Sequence, residues 1–331
     1  MDENALFGAP KIDIDNISIL EANAPDIIVW AAPAMFFFVL LEYAVSYWQD
    51  RKLYEKDEMI GSTLVGLGNV AIGLILKGLL LFLFIFIYNL VPWRMELNWW
   101  TFLPCYILFD FCSYWAHNIS HRLRIFWATH VTHHSGEHYN LTVSFRLSWI
   151  QYFKIAFFFP VAFFGFHPVI LFVTNQIAVL FQFWVHTEYI RRLHPAIEYI
   201  FATPSNHRVH HGCQEKYLNK NYGATFIIWD RMFGTYQKEE EQAVYGITSN
   251  IPHKANPLYI NFHELMDIIR DVRTATSWKE RFFFVCGDPA DISKYKKSRE
   301  ATTAARSITN TKARNISAGP QVIPVSNRSK Q

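Results

Sequence analysis

Cysteine is scarce in this chain: four residues in 331, Cys105, Cys112, Cys213 and Cys286, with no CxxC pair among them. That excludes a disulfide framework and a thiolate metal site, and it points to a reducing compartment. Basic runs dense enough to hold nucleic acid are also missing, and the formal net charge is only +3. The N-terminus, MDENALFGAPKIDIDNISILEANAPD, is acidic and has no basic stretch leading directly into an apolar core, so no cleavable signal peptide is expected. No internal repeat is visible apart from one histidine spacing that occurs twice.

Apolar residues, by contrast, are abundant. They make up 51% of the chain, with 17% aromatics, and are gathered into long runs. Residues 27–48 form a run with Glu42 as its one charge, and a second extends from Ser62 to about Trp93. Each exceeds the roughly 20 residues a helix needs to cross a bilayer. Lys77 falls inside the second run and must snorkel, pair or face a cavity if the span is placed correctly. A third segment, Trp99 to Trp115, has Pro104 near its start. A fourth region, residues 148–188, breaks at GFHP (Gly165 to Pro168) and predicts two helices of about 17 to 20 residues joined by a turn. These runs predict an all-α membrane bundle of about four to five membrane helices. The expected segments are a polar stretch over 1–26, two membrane helices over 27–98, a catalytic domain over 99–275 containing the hairpin, and a polar, disordered tail over 276–331. Within the domain, Leu258, Phe262, Leu265, Ile269 and Val272 predict an amphipathic helix packed on the catalytic part.

Histidine is the residue that organises these segments. Eight of the chain's 14 histidines fall into three helix-spaced groups: His117 and His121; His130, His133 and His134; and His207, His210 and His211. On a helix, i, i+3 and i+4 positions lie one turn apart, so each group projects imidazoles to one side. A hairpin between the second and third groups returns the chain to the side it left, which lets all three meet. Eight ligands suit two metal ions better than one, because structural zinc takes four and catalytic zinc commonly three from protein. Neutral imidazole serves Zn, Cu, Fe or Ni alike, so ligand type alone leaves the metal open. Asp110 shares a stripe with His117 and His121 two turns later, and His186 ends the hairpin four residues after Gln182. Both are candidates for an extra ligand or for a group that orients one, as are Glu137, Asn221 and Asp230 near the histidine groups. His167, His194, His253 and His263 stand alone and read as structural or surface residues. Lysine and arginine near the span ends favour the histidine side (Arg51, Lys52, Lys56, Arg122, Arg124, Arg191, Arg192) over the other (Lys11, Arg94), which predicts cytoplasmic histidines and a cytoplasmic C-terminus.

In this order, with a hairpin between the second and third, the histidine groups resemble the fatty acid hydroxylase and sterol desaturase superfamily of non-haem di-iron membrane enzymes. The stretches WATHVTHHSGEHYNLTVSFR, FWVHTE, TPSNHRVHHG and KNYGATFIIWDRMFGTY look most like its alkylglycerol monooxygenase branch. The resemblance implies that the eight grouped histidines bind two iron ions and that O2 is used to hydroxylate or desaturate a long-chain lipid: an ether lipid, a fatty acyl chain or a sterol. It also implies an external electron donor, tetrahydrobiopterin or a separate redox protein, since no HPGG haem-binding word is present. Read without the resemblance, the same histidines also suit a zinc-dependent membrane hydrolase; a non-catalytic lipid-binding scaffold fits less well, because all three groups are intact.

Overall fold

A computed structural model describes residues 8–299, 301 and 302. Among these residues there is no strand, and an isolated antiparallel bridge pairs Phe201 with Phe226. A short helix α1 (Ile17–Asn23) precedes α2 (Ile27–Trp48) and α3 (Lys56–Leu90). Glu55 caps α3, its carboxylate accepting from the backbone N–H of Asp57 and Glu58 at 3.1 and 2.9 Å, and both acids sit where the helix dipole favours negative charge. These are two helices long and apolar enough to cross a membrane, and their outward faces leave Trp30, Phe36, Leu67 and Ile75 exposed. Lys77 reaches Asp26 at 3.3 Å, just ahead of α2, so the charge inside the second run is paired across two helices.

Helix α4 (Phe102–Arg122) contains Pro104 in its first turn, where a missing N–H costs no helix bond. It runs beyond Trp115 without a break, which places His117 and His121 on its last turns. Two single-turn helices follow, α5 (Arg124–Trp127) and α6 (Val131–His134).

The hairpin departs from the expected pair of α-helices. Its first arm is a 3-10 stretch, Gln151–Phe158, continued by the five-residue α7 (Phe159–Phe163); only the second arm, α8 (Pro168–Trp184), is a full α-helix. A 3-10 helix rises about 2.0 Å per residue against 1.5 Å. Thirteen residues therefore cover roughly 24 Å, close to the roughly 26 Å of the seventeen in α8, and the arms match in length. Gly165, at φ +84°, makes the turn, and its carbonyl accepts from Met95 N at 2.8 Å. A Cβ there would stand 2.4 Å from the Trp93 carbonyl oxygen. The tip thus rests on the loop between α3 and α4, while both ends of the hairpin return to the histidine side. Phe84, Tyr106, Phe109, Val161, Phe166 and Leu171 join α3, α4, α7 and α8 in the main apolar core.

Beyond the hairpin come α9 (Pro195–Ile200), α10 (Pro204–His211), α11 (Ile228–Phe233), α12 (Pro257–Thr274) and α13 (Trp278–Cys286). Helix α12 packs on the body as expected, with Phe262 against Trp149 and Val272 in a cluster with Phe284, but its most deeply buried face is rotated from the apolar stripe. Ile260, Asn261, Ile268 and Asp271 are buried, whereas Leu258 and Ile269 are exposed. The buried guanidinium of Arg124 explains the rotation: it needs carboxylates and finds Glu264 at 2.6 Å and Asp271 at 2.7 Å on that face. At the other side of the contact Gly61 of α3 lies so close that a Cβ would be 2.0 Å from the Lys254 carbonyl oxygen. Gly61→Ala is expected to cost about 1–3 kcal/mol through overpacking, read as a fall of several degrees in the unfolding temperature. The stretch expected as a disordered tail is helical over α13 and again over 289–299, with Ala275, Phe284 and Ile292 packed together. The remainder of that expected tail, from residue 303, lies outside the described residues.

Candidate metal centre

The three histidine groups converge with His186 into two clusters. Ring nitrogens of His117, His121, His130, His134 and His210 lie within 4.8 Å of one another, and so do those of His133, His186, His207 and His211. The clusters cut across the sequence groups in a way helix geometry explains. At about 100° per residue, i and i+4 differ by about 40° whereas i+3 and i+4 differ by about 100°. His130 and His134 therefore go to the first cluster and His133 to the second; His207 and His211 go to the second and His210 to the first. Each HxxHH segment gives two imidazoles to one cluster and one to the other.

Proton positions show what these clusters fit. Nδ1 of His117, His186 and His210 lies 2.8, 2.7 and 3.0 Å from the carbonyl oxygens of Tyr222, Gln182 and Lys220. A carbonyl only accepts, so Nδ1 carries the proton and Nε2 presents a lone pair. Yet His186 Nε2 faces Nε2 of both His133 and His207 at 3.2 and 3.0 Å, and His211 Nε2 faces the same two at 3.1 and 3.2 Å. In the first cluster His117 Nε2 faces His130 at 2.9 Å, His210 faces His134 at 3.1 Å, and His121 Nε2 is buried with no partner. One N–H per ring cannot serve two neighbours, and lone pairs this close repel unless a cation lies among them. The donor set therefore fits two metal ions. Burial, with neighbouring imidazoles second, holds His130, His133, His134, His207 and His211 well below the ordinary imidazole range, and burial pushes His210 down to about 4. These rings stay neutral and ligand-ready at neutral pH.

The scaffold is built to hold ring directions. Asp110 does not join the clusters: its buried carboxylate accepts from Thr225 N, Phe226 N and Trp229 Nε1 at 2.8, 3.1 and 2.9 Å. Asp230 accepts from Tyr222 N and Gly223 N, both at 2.7 Å, and from the Thr235 hydroxyl; burial pushes it up to about 6. Together the two acids fix the loop whose Tyr222 carbonyl orients His117. Asn221, at φ +56°, donates to the Asn206 and Gln237 carbonyls and ties that loop to α10. Glu137 pairs with Lys254 at 2.7 Å, and its backbone N–H donates to Glu58. His167 and His194 cap α8 and α9.

Three supports were not among the expected site residues. Arg146, fully buried, donates to the Thr132 carbonyl and the Ser135 hydroxyl and so holds α6. Arg208 pairs with Glu239 and donates to the carbonyls of Thr187 and Ile190, fastening α10 to the chain after His186. Glu42, near the end of α2, accepts from the Tyr54 hydroxyl at 2.6 Å, from Leu141 N at 2.8 Å and from the Thr187 hydroxyl.

All nine clustered histidines fall inside residues 102–235, and those residues match the fatty acid hydroxylase family model. This region is a fatty acid hydroxylase domain. Among curated proteins, the alkylglycerol monooxygenase of Xenopus tropicalis is 40% identical over 237 residues, covering 69% of this chain and 52% of that protein. The Homo sapiens alkylglycerol monooxygenase is 37% identical over 292 residues, covering 84% and 62%. An ornithine lipid hydroxylase of Rhizobium tropici is 31% identical over 150 residues, covering 44% and 45%. The chain spans about half to three-fifths of the length of the alkylglycerol monooxygenases from these two species. No solved structure matches it. The fatty acid hydroxylase domain is thus attached to two long apolar helices, α2 and α3, consistent with membrane association.

Proposed function

We propose that this chain is a membrane-bound, O2-dependent lipid monooxygenase with two iron ions. The first would be held by His117, His121, His130, His134 and His210, the second by His133, His186, His207 and His211. The observation that carries this reading is the convergence of nine imidazoles, several with lone pairs turned on one another, inside a fatty acid hydroxylase domain. Iron bound there would supply activation of O2 for insertion of oxygen into an unactivated C–H bond. The protein's own part is positioning: backbone carbonyls fix the Nδ1 protons of His117, His186 and His210, and Arg146, Asp110 and Asp230 fix the segments that carry or orient the rings. The second cluster is wholly buried, whereas His117, His121 and His130 are half-buried, so substrate approaches the first. Apolar helices around it keep water from the reacting carbon.

The names of the relatives favour a long-chain lipid, and 37–40% identity to two alkylglycerol monooxygenases favours an ether lipid over a fatty acyl chain or sterol. The electron donor is external, a tetrahydrobiopterin or a redox protein. In this reading α2, α3, α4 and the hairpin lie in the bilayer, with the histidines on the cytoplasmic side. The test joins metal analysis of purified protein to lipidomics of cells that carry it or its His130→Ala variant. About two irons per chain and an O2-dependent lipid product absent from the variant are expected. Zinc with turnover that ignores O2 would replace the proposal with a hydrolase.

A further inference from the structure

Lys154 stands apart from the other lysines that reach into the body. Lys77, Lys254 and Lys296 each meet a carboxylate at 3.3 Å or less. Lys154 is half-buried on the 3-10 arm of the hairpin, and no hydrogen bond, ion pair or acidic neighbour among the described residues answers its charge. Its ammonium is near enough for its field to reach His117, His121 and His130. Those are the three half-buried rings of the first cluster, whose donors include no carboxylate.

The backbone accounts for this placement. In a 3-10 helix i and i+3 eclipse, so Lys154 shares a face with Phe157. The Phe157 ring is 5.5 Å from Phe126, and the adjoining Trp127 ring lies 5.1 Å from His121 and 5.6 Å from His134. The arm therefore sets the face that carries its lysine against α5, the helix whose Trp127 touches the first cluster. A cation kept without a partner among apolar helices is costly, and such a residue marks a place where something of opposite charge belongs.

We infer that Lys154 anchors an anionic oxygen group, a phosphate or carboxylate at the polar end of an amphipathic substrate, on the open side of the first cluster. This rests on the lipid-oxidation reading and narrows it. A substrate held in this way enters headgroup inward, and the C–H bond presented to the cluster lies a few bonds from its polar end rather than in mid-chain or on a sterol ring system.

Binding tests it without turnover. Full-length protein in detergent, with metal content measured for each variant, is titrated with radiolabelled hexadecyl phosphate, hexadecanoate and hexadecanol in a scintillation-proximity assay. Wild type is expected to bind one or both anions at least about tenfold more tightly than the alcohol, the worth of one charge-assisted hydrogen bond. Lys154→Met should erase that preference and leave hexadecanol binding unchanged; Lys154→Arg should keep it, which a merely structural lysine would not require. A preference missing in wild type, or surviving in Lys154→Met, overturns the inference. Inorganic phosphate that competes as strongly as hexadecyl phosphate would assign the site to a free anion and overturn headgroup-inward binding. Charge-selective binding without O2-dependent lipid oxidation would sink the functional reading alone, and oxidation without charge selectivity would sink this one alone.

Discussion

His186→Ala is expected to lower lipid oxidation at least about a hundredfold and to halve the metal content, while His253→Ala changes neither. The size follows from the cluster's construction. His186 is one of four donors, its Nε2 stands 3.2 and 3.0 Å from those of His133 and His207, and its Nδ1 proton is already committed to the Gln182 carbonyl. Groups that merely orient a ligand are worth 10–100-fold in affinity or activity, and a ligand should not be worth less. The first cluster draws nothing from His186, so one ion should remain. Metal analysis with a turnover assay reads both effects. Two ions retained with full turnover would return His186 to the role of a polar residue at the end of α8.

Asp110→Ala is expected to cost about 3–5 kcal/mol of stability. Two backbone N–H groups and an indole N–H would lose their fully buried acceptor, and each such loss costs about 1–3 kcal/mol, least for the part-buried bonds of Phe226 and Trp229. Asp110→Asn keeps one acceptor oxygen and should lose less. Thermal unfolding in detergent should show a fall of roughly 10 °C for the alanine variant. The damage should extend to the site, because the loop released is the one whose Tyr222 carbonyl holds His117. An alanine variant melting within a degree of wild type would mean that other contacts hold the loop.

Much of the fold was legible because it rests on local patterns. Long apolar runs marked α2 and α3, the GFHP break marked the turn at Gly165, and helix spacing marked eight of the nine clustered histidines. Other features depend on what the chain meets in space. The 3-10 path of residues 151–158 has no signature in an aromatic run that reads equally well as an α-helix. The stripe on α12 marks part of its packed side, but the deepest face is rotated from it because Arg124, 140 residues from Glu264, draws that side inward. His186 is a lone histidine in sequence and gains its neighbours from residues 21 and 53 positions distant. The distribution of each HxxHH between two clusters was present in the spacing itself, since 100° separates adjacent positions.

Glu42 carries a consequence for assembly order. Of its three donors Tyr54 follows only 12 residues later, whereas Leu141 and Thr187 leave the ribosome 99 and 145 residues after it. Helix α2 must therefore exist for a time with its one carboxylate answered by Tyr54 alone, and its remaining acceptor sites are filled only when both segments beside the histidines have taken shape. Contacts so distant in sequence close late. The first long apolar helix to be made thus completes its attachment late, and that attachment records that the histidine-bearing segments around Leu141 and Thr187 have already folded.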